Sequence, residues 1–467
     1  MLAMDTKRQA PRIILLLLTA FTAMIIAVLV ILLSTSRVRI VQTWPADASH
    51  DVPITTPIRI TFSQPMDAAS VEANLRVDPK VEGTLSWEGE ELRFQPRVAL
   101  APGAVYSVTL AAGSHDESGR VIDETYAWSF QTRQPQLLFL GRSRPDADVR
   151  QLYVVSASGV PRQMTHHQGG VWDYTIHPLG EGIIYSVLRE EGGSDLWRMN
   201  HDGTEKRRLL ACHGAACLAP AWSPDGGLLA YERRDIRNGA PNLDPQAGRI
   251  WLLDLERSNE RSLFDYDVAL HSPVWAPEGE RLAYVSPLIP GIEILDLKTG
   301  ALQQFGNEWG ASPEWAPDGQ HLVLPELLLA GEDLVVHLLR VDLDEEGLVD
   351  IRGAEAMVKD AGPAWSPGGG WIAFGRQLLD QEKWTPGRLI WLTRPDGSEA
   401  YALPTESPMS DDFSLAWRPD GGALAHARAD LSSGPQLVPD VSIWIFDFDQ
   451  GASRFIAPDG VRPQWLP

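Results

Sequence analysis

Apolar and polar residues alternate strictly over several stretches of the first third of the chain. In "PIRITFSQ" Ile58, Ile60 and Phe62 fall on one side and Arg59 and Thr61 on the other. In "VYSVTLAAG" Tyr106, Val108 and Leu110 share a side, and in "YAWSFQT" so do Tyr126, Trp128 and Phe130. A period of two marks a strand with one face in a core and the other in water. Turn-rich segments such as "GSHDESGR" separate these runs, so residues 45–133 are expected to form a small β-sandwich after a linker at 34–44.

Ahead of the alternation lies a run with no polar face. Residues 13–33 are 21 uncharged positions, which as a helix rising about 1.5 Å per residue would cover the ~30 Å hydrocarbon layer. The run is longer than the apolar stretch of a cleaved signal, so an uncleaved signal-anchor is expected. Lys7, Arg8 and Arg12 precede it and Arg37 and Arg39 follow. That imbalance places residues 1–12 in the cytoplasm and the rest outside the membrane, in the periplasm or at the cell exterior. Ala20, Ala23 and Ala27 form a small-residue stripe along the run, a face on which another membrane helix could pack.

Beyond residue 134 a longer period takes over. "AWSPDGG" at 221 returns as "VWAPEGE" at 274, "EWAPDGQ" at 314, "AWSPGGG" at 364 and "AWRPDGG" at 416. Anchored on Trp172, Trp222, Trp275, Trp315, Trp365, Trp417 and Trp465, the repeat spacing is 40 to 53 residues, the period of propeller blades. Each copy reads as a Trp strand, a Pro-Asp-Gly turn, an apolar strand and two further strands, and four strands make a blade. Pro stops the ladder, Asp-Gly supplies a positive φ, and the Trp ring packs between blades. Pro325 in "LVLPELLL" reads as a strand breaker. At the ends, "LLFLGRS", "QLYVVSASG" and "PRQMTH" lack a Trp strand while "GVRPQWLP" is one with nothing after it. Joined, they complete a seventh blade, and the ring loses its exposed edges.

Two resemblances follow from these residues. The succession "ITFSQPMD", "LRFQPRVALAPGAVYSVTL", "SGR" and "WSFQT" resembles the bacterial Ig-like domains of cell-surface and S-layer proteins, which implies a spacer or adhesion module. "PAWSPDGGLLAY" followed by "RIWLLDLE" resembles the TolB-type propellers of bacterial envelopes and their WD-repeat-like relatives, over about 330 residues. That class includes docking modules, gating domains of oligopeptidases and some lyases, so the resemblance implies a scaffold and carries over no binding residue. The fold class is therefore all-β: a seven-bladed propeller at 134–467 plus an Ig-like sandwich, with one N-terminal transmembrane helix.

Composition narrows the function. A net charge of -22 repels phosphate backbones, so nucleic acid is not an expected partner. No nucleophile elbow, H-E-x-x-H, P-loop or dinucleotide fingerprint occurs, so no catalytic residue, metal or cofactor is assigned. Cys212 and Cys217, the two cysteines, read as a disulfide closing a small loop outside the cytoplasm. Asp342, Asp344 and Glu346 begin like a Ca²⁺ loop, but its twelfth position is Gly353, so a solvated hairpin is expected. His115, Asp116 and Glu117 read as a solvated turn. Ligands of propellers meet loops at one mouth of the channel, which here hold His166, His167, Asp265, Asp267, His271, Glu308, Trp309, Asp411 and Asp412. Acidic groups with a stacking ring suit a peptide, a sugar or a cation. Long insertions at 233–249, 378–388 and 429–441 project from the same face and suit recognition. The function expected is a membrane-anchored scaffold presenting its propeller to protein partners of the cell envelope. The alternative is a carbohydrate- or peptide-binding receptor, or a lyase or hydrolase, acting at the mouth.

Overall fold

The computed structural model describes residues 21–22, 24–25, 38–142, 149–156, 159–238, 240–242, 244, 247–288, 290–345, 347–432 and 440–467. The expected membrane span at 13–33, its alanine stripe and the segment before it lie outside these residues, apart from Phe21, Thr22, Met24 and Ile25, which are helical. Among the described residues no helix is long and apolar enough to cross a membrane. The chain forms two compact units, one built on Pro57–Gln95 and Tyr106–Phe130, the other on Gln131–Pro467 with two shorter segments.

The sandwich has two four-stranded antiparallel sheets. One orders Ile40–Trp44, Ile58–Phe62, Glu91–Pro96 and Gly83–Glu88; the other Ser49–Val52, Tyr126–Thr132, Val105–Leu110 and Leu75–Asp78. Its core holds the residues that alternation selects: Ile58, Ile60, Phe62, Tyr106, Val108, Leu110, Trp128 and Phe130 are buried. Tyr126 departs from the pattern, staying exposed at its strand's end with its ring 5.7 Å from Trp128. A short helix, Ala68–Asn74, starts at Asp67, whose carboxylate accepts the Ser70 N–H, the usual N-cap bond.

The larger unit is a succession of four-stranded antiparallel meanders. The first combines Gln136–Arg142, Arg150–Ser156 and Arg162–Gln163 with the last strand of the chain, Val461–Leu466. The second runs through Val171–Ile176, Gly182–Leu188, Ser194–Asn200 and Arg207–Leu210. The others begin at Ala215–Trp222, His271–Trp275, Glu314–Trp315, Val358–Trp365 and Ser410–Trp417. Neighbouring meanders share a buried cluster. Ile184 and Leu196 of the second meet Trp222, Leu229 and Tyr231 of the third. Around the succession, Ala425 and Ile443 of the seventh meet Leu137, Phe139 and Trp465 of the first. Leu138, Leu140 and Leu152 of the first then meet Tyr174 and Ile183 of the second.

Three letters of the repeat acquire definite jobs. In "WSPDG" the Gly226 N–H bonds the Ser223 carbonyl at 2.9 Å with Gly226 at φ 78°, and Gly279, Gly319, Gly369 and Gly421 do the same in their turns. The glycine alone takes the positive φ; the preceding Asp225 instead accepts the Gly227 N–H through its side chain. Pro two residues before the Trp accompanies a bulge: the register of the first strand shifts at Leu218/Ala221, His271/Val274, Ala361/Ala364 and Val461/Gln464. Ala219, Ser272, Gly362 and Arg462 there take positive φ. An inner strand needs no ladder partner on its channel side, so a residue without N–H fits there.

The tryptophans form a chain of bonds between meanders. Trp275 Nε1 donates to the Ala221 carbonyl at 2.9 Å, Trp315 to Val274 at 3.2 Å, Trp417 to Ala364 at 3.0 Å and Trp465 to Ala416 at 3.0 Å. In each case the acceptor is the residue just before the previous repeat's Trp. Trp222 donates to Gly226 within its own turn, and the Trp365 donor is buried with no partner.

Two expectations about the blade strands fail. Trp172 is not a blade tryptophan: Ile176 pairs with Ile183 as Trp222 pairs with Leu229, and Trp172 lies four residues upstream. The Trp spacing fits by coincidence, and the substituted turn "IHPLGEG" marks the true register. Nor does Pro325 break its strand, since His321–Ala330 runs through it with Pro325 opposite Leu338. The inner strand Glu314–Trp315 pairs only as far as Val323, so beyond that point the missing N–H leaves no ladder position empty.

Candidate functional site at the mouth

In an up-and-down meander, the connection between second and third strands and the connection to the next meander emerge at the same end. The mouth loops and the longest hairpins therefore share a face. Along that face the nine expected residues do not converge. His166 is exposed, while His167 stands edge-on to Trp197 at 4.8 Å, and burial, then Lys206, holds its imidazole below the ordinary range. Asp265 is exposed, and Asp267 is ion-paired to Arg249. His271 has Ser272 Oγ at 3.1 Å and is likewise lowered by burial. The Glu308 N–H donates to the Glu326 carboxylate at 3.0 Å, and burial raises that carboxyl.

Asp411 and Asp412 belong to the strand Ser410–Trp417 rather than to a loop. Alternation sends them opposite ways. Asp411 binds Arg388 at 2.7 and 2.6 Å. Asp412, buried, binds Arg428 at 2.7 Å with His426 Nδ1 3.2 Å away. Burial alone would raise the Asp412 carboxyl, but His426 and Arg428 hold it below the ordinary range.

Of the nine, Trp309 and Asp411 come together. They line one cavity of about 340 Å³ with Val336, Lys359, Gln377 and Arg388, set among the fifth, sixth and seventh meanders. Trp309 is half exposed. Gln377 Nε2 donates to the Thr385 and Pro386 carbonyls at 3.2 Å, which anchors the insertion at 378–388. Lys359 is exposed and carries no ion pair among the described residues.

Beneath the mouth runs a feature the reading of the sequence missed. Arg376 binds Asp360 at 2.7 Å through both nitrogens, both side chains fully buried, and stacks over Trp391 at 5.1 Å. Arg428 and Asp412 repeat this over Trp444 at 4.7 Å, and Arg233 lies over Trp251 at 5.1 Å. The signal is present in "AYER", "AFGR" and "AHAR", each followed by "IW", with Asp five residues before the blade Trp in the two cases that pair. In the third repeat Cys217 takes that place opposite Arg233.

Cys212 and Cys217 are disulfide-bonded within the cluster around Trp222. Among the described residues no group of three metal-binding side chains occurs. Of the Ca²⁺-like segment, Asp342 is held by Arg340 at 2.8 Å, and Glu346 lies outside the described residues. In the sandwich, Asp116 is buried rather than solvated and organises its turn by accepting the Ser118 and Arg120 N–H groups at 2.9 and 2.8 Å. Burial would raise its carboxyl, but the bonds from Arg120 hold it low. Glu314, before the blade Trp, keeps exposed surface although protein surrounds it, and desolvation pushes its carboxyl up to about 7.

Residues 34–132 match the model of the bacterial Ig-like domain. An uncharacterized protein of Agrobacterium fabrum is 29% identical over 132 residues, 27% of this chain and 44% of that one, so the match spans under half of the curated relative. Among solved structures, TolB from Acinetobacter baumannii aligns over 92% of this chain and 99% of its own at 11% identity and TM-score 0.44. Puromycin hydrolase aligns over 70% of this chain and 52% of its own at 16% identity and TM-score 0.50. Residues 34–132 are thus similar to a bacterial Ig-like domain, and the successive four-stranded meanders after them have a β-propeller fold.

Proposed function

We propose that this chain is an extracytoplasmic docking protein, held to the cell membrane by residues 13–33, whose Ig-like domain is a spacer for a seven-bladed propeller. The ring is closed by Val461–Leu466, and its mouth face receives another protein of the cell envelope. The observation that carries the docking role is that three of the five mouth carboxylates are committed. Asp267, Asp411 and Asp412 are each engaged by an arginine, so no pair of them meets at a point where an ion or reacting atom could sit. What is left open is a shallow cavity with an exposed ring, which suits recognition better than chemistry. A disulfide fits an oxidising compartment, and the uncharged run fits an anchor.

The test is crosslinking in intact membranes with a photoreactive residue at Trp309 or Trp384 and, as a control, at Phe455. Protein adducts specific to the mouth positions are expected, from a protein that resists carbonate extraction. Adducts only at Phe455, or none, would overturn the docking role, and release by carbonate would overturn the anchor.

A further inference from the structure

Exposed large side chains gather around the cavity at the mouth. Trp309 is 50% exposed, Leu329 73%, Leu334 55%, Trp384 57% and Met409 43%. Each lies on a connection at the mouth end: Trp309 between the fourth and fifth meanders, Leu329 and Leu334 facing one another across the tip of the hairpin His321–Ala330 and Asp333–Asp342, Trp384 on the 378–388 insertion, and Met409 between the sixth and seventh.

They form one neighbourhood. Trp309, Val336 of that hairpin, Gln377 and Leu431 line the same cavity. The Leu431 N–H bonds the Met409 carbonyl at 3.0 Å, and Gln377 ties down Thr385, next to Trp384. Two half-exposed tryptophans on neighbouring loops are the kind of side chain that anchors an interface centre, and exposed apolar groups clustered on one face mark a binding surface.

The rim is predominantly acidic. Glu308, Glu332, Asp333, Glu382 and Glu406 are exposed and carry no ion pair among the described residues. Lys359 is the opposing charge, because Lys383 is paired with Glu355 and Arg388 with Asp411. An apolar centre inside an acidic rim complements a segment that is apolar along one side and basic along the other. The same acids oppose anionic headgroups, which disfavours a lipid surface.

Building on the docking role above, we infer that the occupant of this face is a basic, amphipathic polypeptide segment, its apolar side on Trp309, Leu329, Leu334, Trp384 and Met409 and its cations on the acidic rim.

The probes are synthetic amphipathic peptides of about 14 residues, ~20 Å as a helix, that share one leucine face and carry Lys, Glu or Ser on the other. They are titrated against the full chain at low and high salt. The Lys peptide is expected to bind about tenfold tighter than the Glu peptide, with the advantage shrinking as salt rises. Leu329→Ser with Leu334→Ser, and separately Trp384→Ala, should each weaken it by about tenfold; all three side chains are exposed, so the fold is retained. Equal binding of Lys and Glu peptides overturns the inference. So does Lys-peptide binding that neither variant alters, which would be attraction to the net charge of -22. The docking role fails separately, through the absence of mouth crosslinks. Crosslinks to a partner segment that is acidic leave docking intact and overturn the basic occupant.

Discussion

At the scale of single residues, charge in this molecule is mostly structural. Several of the carboxylates that read as a ligand-binding rim are taken by arginines, Asp412 by Arg428 on the adjacent strand and Asp411 by Arg388 of the neighbouring meander. Nothing in local sequence distinguishes an acid that faces a neighbouring strand from one that faces the channel, since the distinction depends on which side of a bulged strand it falls. Glu314 is the contrary case, a carboxylate with no cation among the described residues to hold it. Its ordinary pKa of 4.5 is raised to about 7, so the folded state binds its proton more tightly than the unfolded state does. Its contribution to stability is complete below about 4.5 and is lost as pH rises to about 7. The water it still reaches limits the size of the effect. Comparing Tm of the parent and Glu314→Gln from pH 4.5 to 8 should show the parent losing ground to the variant across that window. A constant difference would refute the assignment.

At the scale of elements, the blade repeat was legible because its letters answer to backbone geometry. Gly takes the positive φ of the turn, Pro sits where a bulged inner strand has no ladder partner, and Trp fills the gap to the next sheet. What the letters do not contain is the direction of the indole N–H, which reaches back to the preceding meander. The Trp417 donor has the Ala364 carbonyl, whereas the Trp365 donor has none. Trp417→Phe should therefore cost about 1 kcal/mol more than Trp365→Phe in urea unfolding, the worth of one buried hydrogen bond. Equal losses would mean that the ring alone matters. The misplacement of Trp172 belongs here too, because spacing constrains a blade loosely and the register of pairing fixes it.

At the scale of the whole molecule, stability depends on joining the two ends of the propeller region. Val461–Leu466 pairs with Gln136–Arg142, and Trp465 and Leu466 are buried there. Removing residues 460–467 exposes a strand edge and empties two core positions, so Tm should fall by about 10 °C or more. An unchanged transition would mean the strand is dispensable. The sequence by itself determined the strands, the turns, the sandwich, the repeat and the need for its ends to meet, because each follows from alternation, glycine and proline chemistry, or an unpaired edge. Only the tertiary structure decided which charged side chains cancel one another and which exposed ones share a face. Those outcomes depend on distances between loops tens of residues apart, which no local pattern encodes.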